Sequence, residues 1–124
     1  MLMLKPFKLT LILLVFIPIT CQAAAKHPEK WYQQKWCKEH GGKAEVRLPD
    51  GTRCDCIIET HSIEFDFGKK WAESIGQSLY YSLQTGKKAG VVLIVEDPGD
   101  YKYWLRLNST IEHHGLKIDT WKTD

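Results

Sequence analysis

Residues Arg53–Phe67 read RCDCIIETHSIEFDF, and the alternation inside this stretch decides the fold. In a strand, successive side chains point to opposite faces, so Cys54 and Cys56 share one face while Asp55 takes the other. Ile57 and Ile58 mark this first run as largely buried, where a carboxylate needs a partner. Ser62–Phe67 repeats the pattern, with Ile63, Phe65 and Phe67 on one side and Glu64 and Asp66 on the other. The intervening Glu59–Ser62 reads as a turn, which leaves His61 exposed. Two neighbouring strands therefore each carry acids on a single face, and three carboxylates converge if those faces coincide.

Upstream, Lys43–Leu48 pairs with Arg53–Ile58 as a hairpin through Pro49-Asp50-Gly51-Thr52, because Asp-Gly supplies the backbone angles of a tight turn. Glu45 lies on the first of these strands and is a further candidate ligand. Before it, Pro28–His40 has helical spacing and stops at Gly41-Gly42. Downstream, Lys69–Thr85 is a helix with Trp71, Ala72, Ile75, Leu79 and Leu83 along an inward stripe, ended by Gly86. Val91–Val95 is a continuous aliphatic run, the pattern of a strand buried on both faces. Tyr101–His114 follows as a helix with Tyr103, Trp104, Leu107 and Ile111 inward, and Leu116–Lys122 as a closing edge strand. The order is α-β-β-β-α-β-α-β: a layered α/β domain with a mixed central sheet.

The N-terminus has a different character. Lys5 and Lys8 precede the apolar Leu9–Thr20, and Gln22-Ala23-Ala24-Ala25 supplies small residues for cleavage, so residues 1–25 read as a cleavable signal peptide. The apolar run is short for a membrane anchor. Residues 26–124 then form a single domain, periplasmic or secreted, with no membrane attachment in the mature form. With Lys5 and Lys8 removed, 15 basic and 15 acidic residues remain, and the mature chain has no net charge. A grip on phosphates by bulk charge is excluded, and nucleic-acid binding would have to come from local clustering. Cys37, Cys54 and Cys56 remain in a compartment that permits disulfides, with one bridge expected from Cys37 to either of the other two.

Three carboxylates on one face are tolerable with a cation between them, and oxygen-only ligands favour a hard divalent ion. Asp55, Glu64 and Asp66 are accordingly candidate ligands for Mg²⁺ or Mn²⁺. On the following helix, Lys70, Gln77 and Tyr81 recur at spacings that return to one side. If that side faces the acids, Lys70 can hold a scissile phosphate or its attacking water, and Gln77 and Tyr81 can position a nucleic-acid backbone.

Asp55, then Glu64-Phe65-Asp66, then Gln77-Ser78-Leu79-Tyr80-Tyr81, on a helix-strand-strand-strand-helix-strand frame, resembles the restriction-endonuclease-like, or PD-(D/E)XK, nuclease superfamily. The resemblance covers roughly Trp31–Glu96 and includes the Gln-x-x-x-Tyr helix of some exonuclease members. It implies that Asp55 and Glu64 bind Mg²⁺ and that the chain hydrolyses phosphodiester bonds of DNA or RNA. The chain departs from the family at Asp66, where the pattern has lysine. Either Lys70 takes over the lysine's role from the helix, making Asp55, Glu64, Asp66 and Lys70 the catalytic set, or catalysis is lost and the fold remains. The second case is a nuclease-fold binding module that holds nucleic acid or a protein partner, which the zero net charge favours, or a purely structural domain.

Overall fold

The acid-bearing strands lie next to each other in a five-stranded sheet. The computed structural model describes residues 2–6, 13–18 and 24–124; residues 1, 7–12 and 19–23, Cys21 among them and all within the segment expected to be a signal peptide, lie outside the described residues. No helix among the described residues is long and apolar enough to cross a membrane.

The elements are α1 (Glu29–Glu39), β1 (Lys43–Arg47), β2 (Arg53–Ile57), β3 (His61–Phe67), a 3₁₀ turn (Gly68–Lys70) running into α2 (Trp71–Thr85), β4 (Lys88–Ile94), a second 3₁₀ turn (Pro98–Asp100) running into α3 (Tyr101–His114), and β5 (Ile118–Thr123). This is the expected α-β-β-β-α-β-α-β order. The strands lie in chain order, β1-β2-β3-β4-β5, with the first two pairings antiparallel and the last two parallel. The sheet is thus mixed, and the parallel half is made by the crossovers through α2 and α3.

The hairpin turn forms as Asp50-Gly51 dictates. Gly51 takes φ 88°, and Asp50 Oδ1 accepts from Thr52 N at 3.0 Å and Thr52 Oγ1 at 2.6 Å. Tyr80 of α2 also donates to Asp50, tying the hairpin tip to the helix.

Two cores sit on opposite faces. Trp36 and Cys37 of α1 pack on Cys56, Ile63, Phe65 and Val92. On the other face, Ala89, Val91, Leu93, Leu107 and Ile118 pack with Trp71, Ile75, Tyr103 and Trp104 from α2 and α3. β4 contributes to both cores, as expected of a strand without polar alternation. The bridge is Cys37–Cys56, leaving Cys54 as a buried free thiol whose pKa burial pushes up to about 11.

Two expectations are corrected. The inward face of α2 is not the Ala72, Leu79, Leu83 stripe: Leu83 is 78% exposed, and Ser74 and Ser78 are fully buried alongside the half-buried Trp71 and Ile75. Each serine satisfies its hydroxyl on its own helix, Ser74 Oγ to Trp71 O at 2.6 Å and Ser78 Oγ to Ile75 O at 3.0 Å, so these small side chains can meet the sheet without an unpaired polar atom. The second correction is His61, which begins β3 and is 8% exposed. Its ring bridges Thr60 Oγ1 and Asp119 Oδ2, each at 2.6 Å, which fastens edge strand β5 across β4.

Candidate functional site

The site is built where β2 and β3 part. Their ladder holds only Cys56 opposite Ile63 and Ile57 opposite Ser62. Beyond that point the main-chain nitrogen of Phe65 has no strand partner and donates instead to Asp55 Oδ2 at 2.8 Å. The carbonyl of Asp55 is taken from the α1 side by Gln33 Nε2 at 2.6 Å. Side chains therefore satisfy the opened ladder, and the Asp55 carboxyl is wedged between the strands.

Glu64 and Asp66 point to the same face, the one covered by α2, and are 4% and 5% exposed. The Glu64 carboxyl is in hydrogen-bonding contact with both Asp55 and Asp66. Burial, followed by the charges of Asp55 and Asp66, pushes the Glu64 pKa up to about 11. Asp66 is raised to about 7, first by burial and then by Glu29, against hydrogen bonding from Glu64. Asp55 is raised first by burial, opposed by the Phe65 N–H and by Glu64, and raised further by the charge of Glu45. At neutral pH the cluster therefore keeps Glu64 as a neutral acid, whose single O–H can be given to one neighbouring carboxylate.

Asp66 Oδ2 is buried with no hydrogen-bond partner. An orphaned carboxylate oxygen in such a place is costly unless something arrives to meet it. The three-carboxyl donor set is that of a hard divalent ion. As they stand, the carboxyls are turned on one another, and among the described residues no group of three or more His, Cys, Asp or Glu is arranged to hold a metal ion.

The rotation of α2 onto its serine face sets the polar residues of the helix. With its amide nitrogen facing the sheet, Gln77 donates to Glu64 Oε1 and, at 3.3 Å, to Oε2. Tyr81 is half-buried, and its hydroxyl pKa is raised by burial and then by the charges of Glu64 and Asp55. Lys70, at the junction of the 3₁₀ turn and α2, is exposed, and its charge lowers the pKa values of Asp66 and Glu29. The fold thus brings Asp55, Glu64, Asp66, Lys70, Gln77 and Tyr81 to one place.

Comparison with protein-family models, with curated proteins and with solved structures returns no significant match. The five-stranded mixed α/β domain is similar in topology to restriction-endonuclease-like folds.

Sequence reasoning missed Glu29. This half-buried residue opens α1, and its pKa is raised by burial and by Asp55 and lowered by Lys70, so it belongs to the same electrostatic cluster. No spacing in the sequence links it to β2 or β3; only the packing of α1 across the sheet does. Glu45 is exposed, sits at φ 51° and pairs with Lys30 at 3.7 Å, and it reaches the cluster only through its charge, which raises Asp55. Trp31, 39% exposed, is stacked on His27.

Proposed function

We propose that this chain is an exported nuclease-like domain in which Asp55, Glu64 and Asp66 take a divalent cation, Mg²⁺ or Mn²⁺, and act on phosphodiester bonds of DNA or RNA. The observation that carries the reading is the convergence of three carboxyls at the β2–β3 opening, Glu64 and Asp66 buried and Asp55 half-buried, with Glu64 between the other two and Asp66 Oδ2 left unpartnered. When bound, such an ion supplies charge neutralisation at the phosphate.

The roles of the chain's own residues follow from their places. Asp55 is held by the Phe65 N–H, so one of its oxygens is oriented before any substrate arrives. Glu64 would hold the cation as a carboxylate, its proton released to solvent. Lys70 is exposed beside the acids, where its ammonium can meet a phosphate oxygen and stabilise charge that builds there. Gln77 and Tyr81 line the helix side and contact the nucleic-acid backbone. Lys70 in this account replaces the lysine absent at Asp66, and the PD-(D/E)XK superfamily is the family whose chemistry the arrangement would share.

A second reading has its own support. Gln77 is engaged with Glu64, and the carboxyls are turned on each other rather than toward a common point. This favours a catalytically inactive, nuclease-fold binding module of the periplasm, in which the cluster is a buried acid network and the partner is nucleic acid or protein.

A nuclease assay separates the two. The processed protein is incubated with linear and circular DNA and with RNA, each with Mg²⁺ or Mn²⁺. The first reading expects metal-dependent cleavage that falls at least 100-fold in Glu64→Ala, in line with general acid–base and metal-site losses. Equal cleavage by both proteins, or none by either, contradicts it and leaves the binding module.

A further inference from the structure

The approach to α1 is fastened to the far end of β4. The main-chain nitrogen of Lys26 donates to Glu96 Oε2 at 2.7 Å, and Tyr32 Oη donates to the same oxygen at 2.8 Å. Lys26 Nζ also donates to the carbonyl of Glu96 at 3.1 Å. Tyr32 is only 2% exposed, and burial followed by Glu96 pushes its hydroxyl up to about 12. His27 continues the attachment by stacking on Trp31, ring centroids 3.9 Å apart. Immediately before Lys26, Ala24 and Ala25 line a groove of about 470 Å³ that Phe67, Lys70, Glu96 and Asp100 also line.

The residue whose backbone nitrogen meets Glu96 is thus the one that follows the Ala23-Ala24-Ala25 run. We propose that Lys26 is the first residue of the processed protein and that its new α-ammonium seats on the Glu96 carboxylate, latching α1 to the end of β4. In the processing step a signal peptidase hydrolyses the Ala25–Lys26 bond. Water's oxygen stays on the Ala25 carboxylate, and the Lys26 nitrogen leaves as an amine that is protonated at neutral pH. A single neutral donor becomes a charged group with three, and charge-assisted hydrogen bonds to a carboxylate are roughly twice as strong as neutral ones.

The same cut removes Ala24 and Ala25 from the groove beside Lys70, and the latch steadies the first turn of α1, from which Glu29 acts on Asp55 and Asp66. The inference rests on the export reading and is independent of metal chemistry.

Among the described residues, all helices and strands lie within residues 29–123, so proteins beginning at Lys26 or at Ala24 keep every one of them. The full chain is expressed with its leader in an exporting host, and the secreted product's N-terminus is read by mass spectrometry. Glu96→Gln is then compared in forms that start at Lys26 and at Ala24. The expected results are an N-terminus at Lys26, a higher Tm for the wild-type Lys26 form than for the Ala24 form, and a Tm loss from Glu96→Gln roughly 3 °C larger in the Lys26 form. An N-terminus elsewhere, or an intact leader, overturns the proposal together with its export premise. Lys26 at the N-terminus with equal Tm losses, or with no Tm advantage over the Ala24 form, overturns the latch alone.

Discussion

The two faces of β2 and β3 are made from alternate residues of the same stretches, yet they solve opposite problems. On the α1 face, Cys56, Ile63 and Phe65 meet Trp36 and Cys37 in a dry core closed by the Cys37–Cys56 bridge. On the α2 face, Glu64 and Asp66 are buried and Asp55 is half-buried, with Gln77 and Tyr81 on the covering helix. The first face gains stability from apolar burial; the second surrenders some of it by holding Glu64 and Asp66 out of water beside a half-buried Asp55. The contrast teaches that the domain is stabilised from one side so that the other can carry a strained polar cluster, the distribution expected where local rules are broken at a working site.

The largest effect should come from the dry face. Phe65 is fully buried and edge-on to Trp36, with ring centroids 5.6 Å apart. Phe65→Ala is expected to destabilise by about 3–5 kcal/mol in urea unfolding, the range for large core deletions. A loss below 1 kcal/mol would mean that this face is not the support described.

The acid face should respond with the opposite sign. Glu64 has a folded pKa of about 11 against an ordinary 4.5, so the native state holds a proton that the unfolded chain releases. Stability of the metal-free protein therefore falls as pH rises above 4.5, and Asp66, raised to about 7, steepens the fall up to neutrality. Glu64→Gln keeps the shape and needs no proton. It is expected to stabilise by roughly 2 kcal/mol at pH 8 and by almost nothing at pH 4.5. A Glu64→Gln protein that is less stable than wild type at pH 8 would show that the carboxyl is well accommodated as an anion, and the contrast between the faces would disappear.

Much of this was legible in the sequence because strand alternation has a fixed period. Cys54-Asp55-Cys56 and Glu64-Phe65-Asp66 could only divide between two faces, and the four-residue step from Gln77 to Tyr81 could only return to one side of a helix. The less readable parts depended on contacts between distant segments. The serine face of α2 was hidden because serine reads as a surface residue, although Ser74 and Ser78 bond their own carbonyls and fit where larger side chains do not. His61 looked like a loop residue because its partner, Asp119, is 58 positions away. Glu29 gave no local signal, since it enters the cluster through the packing of α1 rather than through any spacing to Asp55.

The three carboxyls are proposed to form one shared site that exchanges protons for a cation. Calorimetric titration of the processed protein with Mn²⁺ at pH 7, in two buffers of different ionisation enthalpy, tests it most directly. One ion per chain, net proton release on binding, and loss of at least tenfold in affinity in Asp55→Asn are expected. Heats that show no binding, or binding with no proton release that Asp55→Asn leaves unchanged, would contradict it.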